Sequence, residues 1–169
     1  ITDSSLKYHL ENAKKNDTAL HLVGLLSDGG VHSSNEHLYA LVEMAKKEGL
    51  ENVYIHAFTD GRDVAPTSGA EFLKELQDKL SELKFGKIAS VAGRYYAMDR
   101  DNNWDREEKA YDMLTAGAGV HFEGSAEAAA RASYEQGVTD EFLLPTNLTE
   151  NGKPVALVGK GDSIICFKI

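Results

Sequence analysis

Five arginines occur in the 169 residues, and three of them, Arg62, Arg94 and Arg100, fall in polar stretches that directly follow apolar runs. Arg106 comes shortly after Arg100, and Arg131 stands apart. Guanidinium groups gathered at one place hold a small anion, a carboxylate or a phosphate, through paired N–H donors. Acidic neighbours at Asp63, Asp99, Asp101 and Asp105 offer the competing use, which is local ion pairing. His32 follows Gly29-Gly30-Val31, where a histidine is either a solvated side chain or a proton-handling group. Asp63 beside Arg62 can orient a hydroxyl, take its proton, or only neutralise its neighbour. Asp28 before Gly29-Gly30 reads as turn chemistry.

Other polar residues read as structural. His21 and His56 lie inside apolar, strand-like runs and are expected to be hydrogen-bonded core histidines. His9, His37 and His121 show no pattern. The single Cys166 lies in Ser163-Ile164-Ile165-Cys166-Phe167 and is expected to be a packed strand residue. Tyr95, Tyr96 and Trp104 are expected to pack as a wall beside the arginines. No P-loop, no G-x-G-x-x-G opening a helix and no G-x-S-x-G elbow occurs. No His, Cys and Asp set has metal-ligand spacing, so no metal site is expected in this chain.

The elements that must position these residues alternate. Residues 4–16 carry a helical pattern through Leu6, Leu10 and Ala13. Residues 19–26 form an apolar run that exits into Ser27-Asp28-Gly29-Gly30, and a helix through Leu38, Leu41, Val42 and Ala45 follows. Residues 53–58 form the next strand and exit into Asp60-Gly61-Arg62-Asp63. Pro66 and Thr67 open a helix that runs to about residue 83. A third strand, 88–92, exits into Gly93 through Arg100. Helices over about 105–116 and 125–136 come next, then short strands over about 141–144, 154–158 and 162–167. This alternation predicts an α/β, three-layer domain with a largely parallel central sheet and extra mixed strands from the C-terminal part. In such a sheet ligands bind beyond the carboxyl ends of the strands, and there the three arginine-bearing loops would meet.

The length suits one domain, residues 1–169. The net charge of −9 argues against nucleic acid as a partner, and no apolar run is long enough for a membrane span. With one cysteine and no visible leader, a cytoplasmic location and a monomer are expected. The first residue is Ile1, and the last residues lie in or just after a strand-like run, so the chain is expected to be a piece of a longer protein.

Three long motifs, in order, resemble those of the cofactor-independent (2,3-bisphosphoglycerate-independent) phosphoglycerate mutases. They are Leu25-Leu26-Ser27-Asp28-Gly29-Gly30-Val31-His32-Ser33, His56-Ala57-Phe58-Thr59-Asp60-Gly61-Arg62-Asp63-Val64 and Ser90-Val91-Ala92-Gly93-Arg94-Tyr95-Tyr96-Ala97-Met98-Asp99-Arg100-Asp101. Trp104-Asp105-Arg106, Asp140-Glu141-Phe142 with Pro145, and Gly161-Asp162-Ser163 are similar too, so the resemblance covers about residues 18–167. It implies the inserted, substrate-binding (phosphotransferase) domain of a two-domain isomerase of glycolysis and gluconeogenesis. The other domain, alkaline-phosphatase-like, would carry two divalent metals (Mn2+ or Mg2+) and a serine that is phosphorylated. The resemblance further implies that His32, Arg62, Asp63, Arg94 and Arg100 contact 2- or 3-phosphoglycerate, with no 2,3-bisphosphoglycerate cofactor. The arginines would neutralise carboxylate and phosphate. Asp63 would hold the glycerate hydroxyls and move their proton, and His32 would hydrogen-bond the phosphoryl group.

The sequence departs from the family pattern at several points. The metal ligands and the nucleophilic serine have no counterpart here, and the metal-binding domain is absent. Lys168-Ile169 stand where the family has Asn-Phe-Arg, Ser34 stands where many members have a second histidine, and Asn103 where a basic residue is common. The isolated chain is therefore expected to be inactive as a mutase. A stand-alone small-anion-binding or interaction module with the same fold is the alternative.

Overall fold

A computed structural model describes residues 4–168, so the expectations placed on Ile1 and Ile169 lie outside the described residues. The chain runs α1 (Ser4–Asn16), β1 (Leu20–Leu26), α2 (Asn35–Lys47), β2 (Val53–Thr59), α3 (Gly69–Leu83), β3 (Lys87–Gly93), α4 (Arg94–Ala97), α5 (Trp104–Ala116), β4 (Val120–Glu123) and α6 (Ala126–Glu135). A 3-10 turn (Asp140–Phe142) leads to β5 (Thr146–Glu150), β6 (Lys153–Pro154) and β7 (Ser163–Cys166). The strands form one sheet in the order β4-β5-β3-β2-β1-β7, with β6 on β5. β7, β1, β2 and β3 are mutually parallel, β5 is antiparallel to β3, and β4 is parallel to β5. The expected α/β sheet with mixed strands from the C-terminal part is therefore present.

Strand alternation divides the core. Leu20, Leu22 and Leu26 of β1 join the larger cluster, with apolar residues of α1, α2, α3 and α6. Val23 and Leu25, pointing the other way, join a smaller cluster with Phe58, Ala92 and Met113 of α5. Helices thus bury apolar stripes against both faces, as a parallel sheet requires.

A polar row crosses the strands. Ser90 Oγ lies 2.7 Å from His56 Nδ1, His56 Nε2 2.8 Å from His21 Nδ1, and His21 Nε2 2.9 Å from Asp162 Oδ2. His21, His56 and Ser90 are fully buried, so these are the hydrogen-bonded core histidines expected from the sequence. A carboxylate only accepts, so His21 Nε2 donates to Asp162. With both imidazoles neutral, every bond in the row points the same way, from the Ser90 hydroxyl towards Asp162. Burial, then the His21 charge, pushes His56 down to about 3. Burial raises Asp162, but amide donors from Gly159 and Ala19 and the His21 bond outweigh it and leave the carboxyl below its usual range.

Several local expectations change. Residues 141–144 do not form a strand; Asp140–Phe142 is a 3-10 turn, and the strand starts at Thr146. The apolar run Phe142-Leu143-Leu144 looks strand-like in sequence, but only Leu143 of the three is buried. Over 154–158 only Pro154 remains in a strand, and β4 arises where no strand was expected. α3 starts at Gly69, after a turn in which the Ser68 amide donates to the Ala65 carbonyl. Cys166 is exposed, against expectation. β7 is an edge strand whose Ile165 and Phe167 turn to the main core, which points Ile164 and Cys166 to the thinly covered face. Trp104 opens α5 at 67% exposure and so forms no packed wall.

Candidate functional site

Because β1, β2 and β3 are parallel with Leu26 opposite Thr59 and Thr59 opposite Gly93, their exit loops leave side by side. The loop after β1 carries His32, the loop after β2 carries Arg62 and Asp63, and β3 runs straight into α4, which starts at Arg94. A cleft of about 460 Å³ opens there. Its basic lining is His32, Arg62, Arg94, Arg100, Arg106 and Lys168, and its apolar floor includes Val23, Leu25, Phe58 and Phe167. Cys166 stands on its edge.

Four of the five residues singled out from sequence therefore line one cleft. The fifth, Asp63, lies just behind the lining, where its carboxylate meets two of them. Arg94 Nη1 donates to Asp63 Oδ2 and to Asp60 Oδ1, each at 2.7 Å. His32 Nε2 is 3.7 Å from Asp63 Oδ2, which is an ion pair when the imidazole is protonated but too long for a hydrogen bond. The Arg94 side chain is only 11% exposed; burial lowers its basicity, but the two carboxylates more than offset that and hold it above the ordinary arginine value. Among the described residues no other group bonds the Arg94 side chain, so its Nε and Nη2 edge is unpaired.

The remaining arginines differ in how far they are committed. Arg62 Nε lies 3.8 Å from Glu141 Oε1, and Arg106 Nη1 lies 3.3 Å from Asp99 Oδ1. Arg106 also lies over the Tyr95 ring, 3.9 Å from its centroid, and Tyr95 contacts Phe142. The Asn103 side chain and amide hold the Asp99 carboxyl below its usual range, so Asp99 stays an anion beside Arg106. Arg100 is exposed and has no acidic partner among the described residues. Of the two uses of arginine considered from sequence, local ion pairing is present at Arg62, Arg94 and Arg106, and all three still face one cleft.

Sequence reasoning passed over three contributors. Arg106 lies on a helix rather than in the exit loop proper. Asp60 looks like part of an Asp-Gly turn, yet it is 1% exposed and anchors Arg94. Glu141 comes from the turn 140–142, which is brought in from 80 residues downstream of the loop it touches; Thr59 Oγ1 donates to the Asp140 carbonyl at 2.7 Å, and the Gly93 amide donates to the Leu143 carbonyl at 2.7 Å. The legible signals were the closeness of Arg106 to Arg100 and the place of Asp60 in the loop of Arg62 and Asp63; nothing in the sequence tied Glu141 to Arg62. Beneath the turn, Asp140 is fully buried and accepts from the Gly69 amide at 2.7 Å and from the Tyr134 hydroxyl. Burial, helped by the nearby Asp60 charge and opposed by those two donors, pushes its carboxyl up.

No group of three or more His, Cys, Asp or Glu side chains suited to a metal ion occurs among the described residues. Of the carboxylates that line the cleft, Asp99 pairs with Arg106 and Glu141 with Arg62, and Asp60 and Asp63 behind it are held by Arg94. The arrangement can hold a small anion between guanidinium groups, with the Asp63 carboxylate close behind them.

Comparison with known proteins places residues 1–168 on the family model described as BPG-independent PGAM N-terminus (iPGM_N). The chain is 61% identical over 158 residues to the 2,3-bisphosphoglycerate-independent phosphoglycerate mutase of Lachnoclostridium phytofermentans, covering 94% of this chain and 30% of that protein. It is 56% identical over 165 residues to the enzyme of the same name from Clostridium beijerinckii, covering 98% of this chain and 32% of the relative. A crystal structure of Leishmania mexicana phosphoglycerate mutase at low cobalt concentration superimposes with a TM-score of 0.93 at 34% identity, covering 99% of this chain and 32% of that one. The chain thus spans about a third of the length of the proteins it matches.

Proposed function

Since the chain belongs to the BPG-independent PGAM N-terminus (iPGM_N) family, we propose that it is the single substrate-holding (phosphotransferase) domain of a 2,3-bisphosphoglycerate-independent phosphoglycerate mutase. In this reading residues 1–169 grip 2- or 3-phosphoglycerate while the rest of the protein moves its phosphoryl group. The observation that carries the reading is the convergence of His32, Arg62, Arg94 and Arg100, from three consecutive exit loops, on one cleft with Asp63 behind it.

Each side chain has a role its surroundings support. The free Nε and Nη2 edge of Arg94 pairs with an anionic group of the ligand, with Arg62 and the unpaired Arg100 completing the clamp. Planar guanidinium forks hold carboxylate and phosphate geometry while the glycerate turns between its two transfer positions. Asp63, fixed by Arg94, holds the glycerate hydroxyls and takes up or returns their proton. His32, within 3.7 Å of that carboxylate, hydrogen-bonds the phosphoryl oxygens. The divalent metals implied for the whole enzyme, Mn2+ or Mg2+, do not fit the described residues, which offer no group of three suitable side chains and whose Asp60, Asp63, Asp99 and Glu141 are paired with arginines. That chemistry is assigned to the alkaline-phosphatase-like domain outside this chain. A cytoplasmic, monomeric protein of glycolysis without a nucleic-acid partner completes the reading; the net charge of −9 and the lack, among the described residues, of a helix long and apolar enough to cross a membrane agree with it.

Titration of the 169-residue chain with 3-phosphoglycerate, followed by NMR, tests the proposal. The expected result is saturable shifts centred on His32, Arg62 and Arg94. No shift at millimolar ligand overturns it.

A further inference from the structure

Asp60 does not itself line the cleft, yet its carboxylate joins all three loops that build it. Oδ2 accepts from the Ser27 hydroxyl at 2.7 Å, and Ser27 Oγ in turn accepts from the Gly29 amide at 3.2 Å, which ties down the loop after β1. Oδ1 accepts from the amides of Arg62 and Asp63, both at 3.1 Å, which fixes the loop after β2. The same oxygen accepts from Arg94 Nη1 at 2.7 Å, which fixes the first side chain after β3. The carboxyl is 1% exposed, and the four donors are charged, hydroxyl and amide groups from three separate segments. Burial opposes its ionisation, but the Ser27 and Arg94 bonds and the two amides leave it more acidic than usual.

We infer that Asp60 is the positioning residue of the site: its carboxylate sets the rotation of the Arg94 guanidinium and the placement of Arg62 and Asp63, without meeting the ligand itself. The inference rests on the phosphoglycerate reading only for its effect on binding. Its structural half concerns Arg94 alone. The geometry explains why a carboxylate is needed. Arg94 Nη1 has two hydrogens, one aimed at Asp60 and one at Asp63, so the two carboxylates fix the plane of the guanidinium. Asparagine keeps the volume but offers one acceptor oxygen in place of two and no charge. Even with that one oxygen in the Oδ1 place, Arg94 would exchange a charge-assisted bond for a weaker one to a neutral acceptor and would be held mainly by Asp63, whose side chain is 26% exposed, so its free edge would lose a single direction. Preorganised donors work because they need no rearrangement when the ligand arrives, so an arginine free to rotate binds more weakly.

Two measurements on the 169-residue chain decide the matter. The first follows the side-chain 15N and 1H resonances of Arg94 without ligand. The wild type should show separate, slowly exchanging Nη protons, the signature of hindered rotation, and Asp60→Asn should average them. Free rotation in the wild type, or hindered rotation that survives in Asp60→Asn, overturns the inference. The wild-type arm stands even if the variant fails to fold. The second is the affinity for 3-phosphoglycerate, expected to fall about tenfold or more in Asp60→Asn and to change less than about threefold in Ser27→Ala, which removes one hydroxyl donor to Asp60 and leaves its charge and its bond to Arg94 in place. An Asp60→Asn affinity within about twofold of wild type also overturns it. If the wild type shows no binding, the phosphoglycerate reading fails, and the Arg94 resonances still decide whether Asp60 positions that side chain.

Discussion

Arg94 uses one nitrogen on two carboxylates and keeps a whole edge of its fork, and that division of labour is open to a direct check. In Arg94→Lys the ammonium can still reach Asp60 and Asp63 but has no second edge to present. The expected result is 3-phosphoglycerate affinity weakened about tenfold or more, by calorimetry, with the urea midpoint little changed. His56 supplies a second residue-level consequence. The folded protein holds its imidazole neutral down to about 3, whereas in the unfolded chain it takes a proton near its ordinary value. The unfolded state therefore binds the extra proton between those values, and stability falls as pH drops through that window. Urea unfolding should show a loss of about 2 kcal/mol between pH 7 and pH 5, and a His56→Gln variant should lose most of that slope. At this scale the sequence was readable where a residue's own loop or strand declared its place, as for His32 and Arg62 at the cleft and the inward-facing His21 and His56. It was silent on partners. Asp162 lies 141 residues from His21, and nothing local to Asp60 distinguishes an anchor for Arg94 from an ordinary turn aspartate.

Among the elements, the turn at Asp140–Phe142 does the most to shape the site from a distance. It fits only because the segments beneath it lack side chains. A Cβ on Gly93 would meet the Glu141 carbonyl, with Leu143 N at 2.6 Å and the Asp140 carbonyl at 2.7 Å. Gly93 has ordinary extended angles, φ −67° and ψ 148°, so it is glycine for space and not for backbone freedom. Gly93→Ala should therefore destabilise by about 2 to 3 kcal/mol in chemical denaturation and displace Glu141 from Arg62. Gly30→Ala is the contrast: its φ is +67° but nothing lies within 4 Å of the new methyl, so only the backbone cost of about 1 kcal/mol applies. The parallel half of the sheet and its helices were legible because hydrophobic period switched cleanly between strand and helix. The turn was not. Its Phe142-Leu143-Leu144 run has strand composition, and what stops it pairing is the anchor of Asp140 on Thr59, Gly69 and Tyr134, of which only Tyr134 is close in sequence.

For the whole molecule, a chain of net charge −9 gathers six basic side chains at the carboxyl edge of one sheet, which suits holding an anion better than transforming it. Spanning about a third of its relatives' length, and with no metal-ligand cluster among the described residues, the isolated chain should give no turnover of 3-phosphoglycerate to 2-phosphoglycerate in a coupled assay with added Mn2+. Metal-dependent turnover by this chain alone would contradict the division of labour proposed above. The exposed position of Cys166 has a practical side. It is the only thiol in the chain, and it stands on the edge of the anion cleft beside Phe167 and Lys168. The molecule thus arrives with a ready-made attachment point for a reporter. A polarity-sensitive fluorophore coupled there would sense the cleft filling, so its emission should trace a 3-phosphoglycerate binding curve with the rest of the sequence untouched, while Cys166→Ser should take up no dye.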